Sequence, residues 1–165
     1  MIVGILSDTH GRGDAMAEAV RLLTDAGAEF LIHCGDVGGE AVIDHLAGSK
    51  ALLIWGNNDW ERAPLTRYAE ALGITVGPSL AEVELDGKRF AVTHGDDSRL
   101  VRRVLDEQRH DYLLLGHSHV RRDSRIGRVR MINPGALHRA IEKTVAILDT
   151  TNDALRFIPV PCAQR

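Results

Sequence analysis

Apolar residues in this chain fall into short unbroken runs, and five of these runs stop abruptly at metal-binding residue types. Val3-Gly4-Ile5-Leu6 gives way to Asp8-Thr9-His10, Phe30-Leu31-Ile32-His33-Cys34 to Gly35-Asp36, and Ala51-Leu52-Leu53-Ile54-Trp55 to Gly56-Asn57-Asn58-Asp59. Phe90-Ala91-Val92-Thr93 leads into His94-Gly95-Asp96, and Tyr112-Leu113-Leu114-Leu115 into Gly116-His117-Ser118-His119. Runs of this length bounded by turn residues read as buried strands. Open α/β sheets bind ligands at the carboxyl ends of their strands, so one sheet edge is expected to collect seven candidate donors.

Between the runs the period changes. Ala15 to Ala26 carries apolar residues at helical spacing, with Asp14 expected as N-cap and Gly27 as the stop. Glu40 to Leu46 and Pro64 to Leu72 read as helices, Pro64 as an N-terminal residue and Gly73 as the stop. With strands near 2–7, 29–34 and 50–55, the first third is a repeated βα unit with parallel pairing. Further on, Leu80 to Leu85 alternates, Asp86-Gly87 supplies a turn, and Lys88 to Thr93 completes a hairpin. Asp97 to Gln108 is expected to be helical, Arg121 to Met131 to fold back around Gly127, and Thr144–Asp149 to pair with Ala154–Val160. Antiparallel pairing is expected to dominate this half. The sum is an α/β fold, two packed mixed sheets flanked by helices, in one domain over residues 1–165.

The composition is that of a soluble globular protein: 165 residues, 44% hydrophobic and 26% charged, with no apolar run near the ~20 residues that span a bilayer. The Met1 to Asp8 start reads as a strand rather than a leader, which gives the expectation of a cytoplasmic protein with no membrane partner. A net charge of -3 argues against a nucleic-acid polymer as partner, and leaves a homo-oligomer open. Cys34 and Cys162 form no disulfide framework and read as free thiols. Of 20 basic residues only Lys50, Lys88 and Lys143 are lysine, an imbalance running the length of the chain and better ascribed to coding bias than to chemistry.

The motif series D-x-H, GD, GN-x-D, H-G and G-H-x-H, in this order and at strand ends, resembles that of the calcineurin-like metallophosphoesterases. It runs from Asp8 to His119, and Asn133-Pro134-Gly135-Ala136 is similar to that family's late turn. Length places the chain nearest the small bacterial and archaeal phosphodiesterases and the Vps29-like branch. The resemblance implies a four-layer αββα sandwich and two divalent cations, manganese first, with iron, nickel or zinc as alternatives. It places Asp8, His10 and His119 with one cation and Asn57, His94 and His117 with the other, and has Asp36 bridge them. It further implies attack on a small phosphate ester, most plausibly a diester, by a metal-bridging hydroxide. Imidazole suits such metals and carboxylate supplies hard oxygen, so the donor set is chemically consistent.

Asn58, Asp59 and His94 are the expected catalytic groups, and Asn57, Asn58 and Arg121 the expected substrate contacts. Catalytic relatives often carry His where this chain has Asn58, and an amide can hydrogen-bond but cannot deliver a proton. Arg121 directly follows His119, although the plainer reading makes Arg121, Arg122, Arg125, Arg128 and Arg130 a solvated hairpin face. Asp96, where many members have His, reads as an outer contact or a helix cap. His33 is expected in the core, His45 and His110 at the surface, and His138 in an exposed loop. The rival reading is a Vps29-like scaffold without catalysis, and a nuclease is disfavoured by the lack of a basic surface.

Overall fold

The computed structural model describes residues 1–161. Its elements are β1 (Ile2–Leu6), α1 (Gly13–Asp25), β2 (Phe30–His33), α2 (Glu40–Ile43) running into a 3-10 turn (Asp44–Leu46), β3 (Ala51–Leu53), α3 (Arg62–Ala71) and β4 (Thr75–Val76). There follow β5 (Leu80–Leu85), β6 (Lys88–Thr93), α4 (Ser98–Glu107), β7 (Tyr112–Leu114), β8 (Arg122–Ile126), β9 (Val129–Asn133), β10 (Thr144–Asp149) and β11 (Ala154–Pro159). The first sheet has the order β11-β10-β1-β2-β3-β4 and the second β5-β6-β7-β9-β8. Among the described residues no helix is long and apolar enough to cross a membrane.

Strand alternation builds the layers. Val3 and Ile5 of β1 point between the sheets with Ile32, Leu52, Phe90, Val92, Leu114 and Ile132. Leu6, on the other face of β1, packs with Met16 and Leu23 of α1, Ile43 of α2 and Leu65 of α3. Val104 of α4 covers Ala91, Leu113 and Met131 on the outer face of the second sheet. The result is helix, sheet, sheet, helix, as expected, and three dry interfaces hold the strands in register.

Parallel pairing of β1, β2 and β3 aligns Leu6 with His33 and His33 with Leu53, so three strands end level. In the second sheet Val92 pairs with Leu114, which levels β6 with β7. The polar residues after all five strands therefore meet at one edge.

Several local expectations need correction. Helix α1 begins at Gly13 after Arg12, and Asp14 sits inside its first turn, held by the Arg12 guanidinium, instead of capping it. Helix α3 starts two residues before Pro64, which the first turn tolerates because those N–H groups lack helical partners anyway. Asp97, not Asp96, caps α4, accepting from the Arg99 N–H at 2.9 Å. Antiparallel pairing dominates the second half as expected, in β5–β6, β8–β9, β10–β11 and β10 with β1, but β6, β7 and β9 pair in parallel. The Asp86-Gly87 turn forms as expected, with φ of 53° and 70°. Cys34 is buried with a free thiol, and Cys162 lies outside the described residues.

Candidate metal centre

The seven expected donors converge, and the backbone is bent to make them do so. Asp8, His10, Asp36, His117 and His119 all have positive φ, between 48° and 66°, a region that L-residues visit rarely and at a cost of order 1–3 kcal/mol each. Each sits two to five residues beyond a strand end, where an extended chain must turn sharply to aim its side chain across the sheet edge. Glycines make room for these turns. A Cβ at Gly56 would lie 2.5 Å from the Asp36 backbone nitrogen, and one at Gly116 would lie 2.8 Å from Asp8 Oδ2. Gly35 has φ +97°, and a Cβ there would meet His94 Nδ1 at 2.7 Å. The glycines of the three G-D, G-N and G-H pairs are thus fixed by the packing of neighbouring donor loops.

Two groups of donors are close enough to share a cation: Asp8 with His10 and His119, and Asp8 with Asp36 and His94. His119 Nε2 is 3.2 Å from Asp8 Oδ1, and His10 Nε2 is 3.5 Å from both His119 Nε2 and Asp36 Oδ2. On the other side of Asp36, its Oδ2 is 3.4 Å from His94 Nε2. Asn57 Oδ1 touches His117 Nδ1 at 3.1 Å, and the His117 ring stands 5.2 Å from that of His94. Asp36 therefore lies between a His10 side and a His94 side.

The orientation of each donor is set from behind. The Ser7 hydroxyl and the His117 N–H both donate to Asp8 Oδ2, at 2.6 and 3.1 Å, which leaves Oδ1 facing the cluster. His94 Nδ1–H donates to the Cys34 carbonyl at 2.8 Å, so Nε2 presents its lone pair. Asp8 Oδ1 and His94 Nε2 are two of three buried side-chain atoms among the described residues that have no hydrogen-bond partner. Buried polar atoms are nearly always paired, and an orphan costs ~1–3 kcal/mol, so a lone pair on each aimed at the same space fits a cation. Burial raises the Asp8 carboxyl above its ordinary range, partly offset by Ser7. Burial alone would raise Asp36 too, but contact with His94 and two N–H donors from Asn58 prevail and hold it well below the usual carboxylate range.

Three expected site residues do something else. Asp59 is 4% exposed and its carboxylate is occupied by backbone N–H groups of Val37, Gly38 and Gly56 at 3.2, 2.9 and 2.8 Å. It ties the Asp36 loop to the Asn57 loop, with three of the carboxylate's four acceptor positions taken by backbone donors. Asn58 gives its backbone N–H and its side-chain amide to the two oxygens of Asp36, at 2.9 and 2.8 Å, instead of facing outward for substrate. Arg121 is drawn away, paired with Glu142 at 3.0 Å and lying over the Phe157 ring. The other arginines of that run are also occupied: Arg122 donates to Ser124 Oγ, Arg125 and Arg130 bind Asp153, and Arg128 binds Asp111.

The remaining histidines divide as well. His33 is fully buried, accepts from the Gly35 N–H at Nδ1 and donates from Nε2 to Thr9 Oγ1 at 2.5 Å, bracing two donor loops. His45 is exposed. His110 is not a surface residue: it is 5% exposed and bonded to Glu82 at 2.8 Å. His138 is half-buried, and its ring stands 5.3 Å from His10, at the edge of the centre. Sequence reasoning missed Ser7 and Arg62. Arg62 donates to the carbonyls of Gly56 and Asp59 at 2.8 and 2.9 Å and closes the Asn57 loop, a role with no sequence signal beyond its position three residues after Asp59. Asn133, in the expected late turn, donates to the Gly116 carbonyl and to Ser118 Oγ, fixing the His117-His119 loop.

Comparison with known proteins shows the family and the fold. The chain is 31% identical over 163 residues to a phosphodiesterase of Methanocaldococcus jannaschii, covering 96% of this chain and 98% of that one. A solved structure of an archaeal phosphodiesterase superimposes with a TM-score of 0.90 at 29% identity, covering 96% of this chain and 99% of the other. At the level of fold alone, the phosphoesterase Yfce of E. coli aligns with a TM-score of 0.67 at 20% identity over 98% of this chain and all of that one. Vps29 of Chaetomium thermophilum aligns at 0.70 with 14% identity, covering 96% and 95%. Residues 1–153 match the model of the calcineurin-like phosphoesterase superfamily domain, and with the donor loops assembled at one sheet edge, the chain belongs to that superfamily.

Proposed function

We propose that this chain is a metal-dependent phosphodiesterase working as one domain, and that the orphaned Asp8 Oδ1 and His94 Nε2 at the meeting point of seven donors carry the reading. Asp8, His10 and His119 would hold one divalent cation, Asn57, His94 and His117 a second, and Asp36 would serve both. Manganese is the first choice, with iron, nickel and zinc suited to the same imidazole-carboxylate set. When bound, such a pair supplies a Lewis acid for the phosphoryl oxygens and lowers the pKa of water. The chain's own part is to orient. Ser7 and the His117 N–H fix Asp8, Cys34 fixes His94, and Asn58 fixes Asp36.

Asn57, Asn58 and Asp59 are poorly placed to protonate a leaving group, because two are amides and the third is a buried carboxylate whose ionised form is held by three backbone donors. Turnover of the manganese-loaded protein on a series of aryl and alkyl phosphodiesters should therefore depend steeply on leaving-group pKa, since general acid assistance is typically worth ~10²–10⁴-fold. A shallow dependence would show that another group, His138 being the nearest candidate, supplies the proton. A scaffold reading is favoured by one observation, the commitment of Asn58 to Asp36. No turnover on activated diesters by fully loaded protein would select it.

A further inference from the structure

Trp60 directly follows the Asn57-Asn58-Asp59 loop and is 85% exposed. A single exposed aromatic means little by itself, but two features of its setting give it meaning. The loop beneath it is rigid, pinned by three backbone N–H bonds to Asp59 and by Arg62 on the carbonyls of Gly56 and Asp59. Beside it lies a hollow of about 380 Å³, within the ~300–1,000 Å³ range of small-molecule clefts, lined by Gly38, Gly39, Glu40, Asn58, Trp60 and Glu61 among others.

Two of the hollow's lining residues, Asn58 and Gly38, contact the donor loops. Its Asn58 wall is hydrogen-bonded to Asp36, and Gly38 packs so closely on the His10-Gly11 backbone that a Cβ there would lie 2.6 Å from the His10 carbonyl carbon. An ester substituent extending past Asn58 from a phosphorus at the donors would enter this hollow. The lining carries the carboxylates of Glu40, Glu61 and the buried Asp59 and no cationic side chain, so it suits a neutral group that donates hydrogen bonds and repels a second phosphate.

We infer that Trp60 and this hollow bind the organic part of the ester, and that this part is an aromatic ring bearing N–H donors, as an amino-substituted nucleobase does. The inference rests on the phosphodiesterase reading and narrows its substrate class. The indole stacks on the ring, and Glu40 or Glu61 accepts from the exocyclic amine.

The test is binding of adenosine 5′-monophosphate, inosine 5′-monophosphate and ribose 5-phosphate to the manganese-loaded protein, followed by calorimetry. The three share a phosphate, and the second replaces the amine of the first by a carbonyl. Wild-type protein should bind the adenine nucleotide at least ~10-fold more tightly than ribose 5-phosphate, as base–aromatic stacking allows. Trp60→Ala should abolish most of that preference while leaving ribose 5-phosphate binding within about twofold, and Glu40→Gln with Glu61→Gln should erase the preference for adenine over hypoxanthine. Equal binding of all three ligands by wild type, or an equal loss for nucleotide and sugar phosphate in Trp60→Ala, would overturn the inference while turnover of bis-p-nitrophenyl phosphate keeps the phosphodiesterase reading intact. Failure of the same preparation to turn over that diester or to bind any of the phosphates would sink both.

Discussion

Replacing Asp59 by Asn distinguishes a catalytic carboxylate from a structural one. Oδ2 of Asp59 accepts from Val37 and Gly56, and Oδ1 from Gly38. An Asn side chain has one oxygen, so whichever way it turns, its NH₂ faces at least one backbone donor. One buried N–H is then left unpaired, at ~1–3 kcal/mol, and the bonds that survive lose the strengthening a charged acceptor gives. The sum is roughly 2–4 kcal/mol, which for a chain of this size lowers Tm by roughly 5–15 °C. The assay is thermal unfolding with and without manganese, alongside turnover well below the new Tm. A structural Asp59 predicts the Tm loss, with turnover of metal-loaded molecules falling less than ~10-fold and an unchanged pH profile. An unchanged Tm combined with a 10²-fold or greater loss of kcat and a missing limb in the pH profile would refute this reasoning and restore Asp59 as an acid–base group.

Two further predictions concern the loops behind the donors. Gly116→Ala places a methyl inside contact distance of Ser7 Oγ and 2.8 Å from Asp8 Oδ2, so it should displace Asp8 and lower manganese affinity at least ~10-fold, whereas tight binding measured by titration would mean the loop can yield. Burial, with the nearby His94, lowers the pKa of His33 from 6.5 to about 3, so the folded chain keeps it neutral where the unfolded chain protonates it. Its contribution to stability is full above pH 6.5 and is lost as pH falls toward 3, by up to ~1.4 kcal/mol per unit. Urea unfolding of the metal-free protein should therefore show a steeper loss between pH 6.5 and 4 in wild type than in His33→Gln, and parallel curves would contradict the assignment.

How much of this was legible in the sequence follows from what each signal measures. Apolar runs report burial, so β1, β2, β3 and β7 and the donors after them could be read directly, because both faces of those strands are covered. Strand β4 has two residues, too few for any period, and was not anticipated. The parallel order of β6, β7 and β9 depends on which strand neighbours which across the sheet, and alternation within a strand carries no information on that. His110 looked like a surface residue because it follows a polar helix end, yet the β5 edge folds over it and supplies Glu82. Asp59 and Asn58 sit in a motif that announces chemistry, but what their side chains bind is decided by a distant loop, through the Val37 and Gly38 N–H groups for Asp59 and the Asp36 carboxylate for Asn58. The left-handed backbone of five donors is likewise a tertiary fact, since Asp and His, though enriched at positive φ, signal it far more weakly than glycine does.

The claim most exposed to test is that Asp36 serves both cations. Metal content per chain, measured by mass spectrometry after manganese loading and gel filtration, should be two for wild type and fall below one for Asp36→Asn, with diester turnover lost. Retention of two metals and near-normal turnover in Asp36→Asn would show that the centre is built around a different residue.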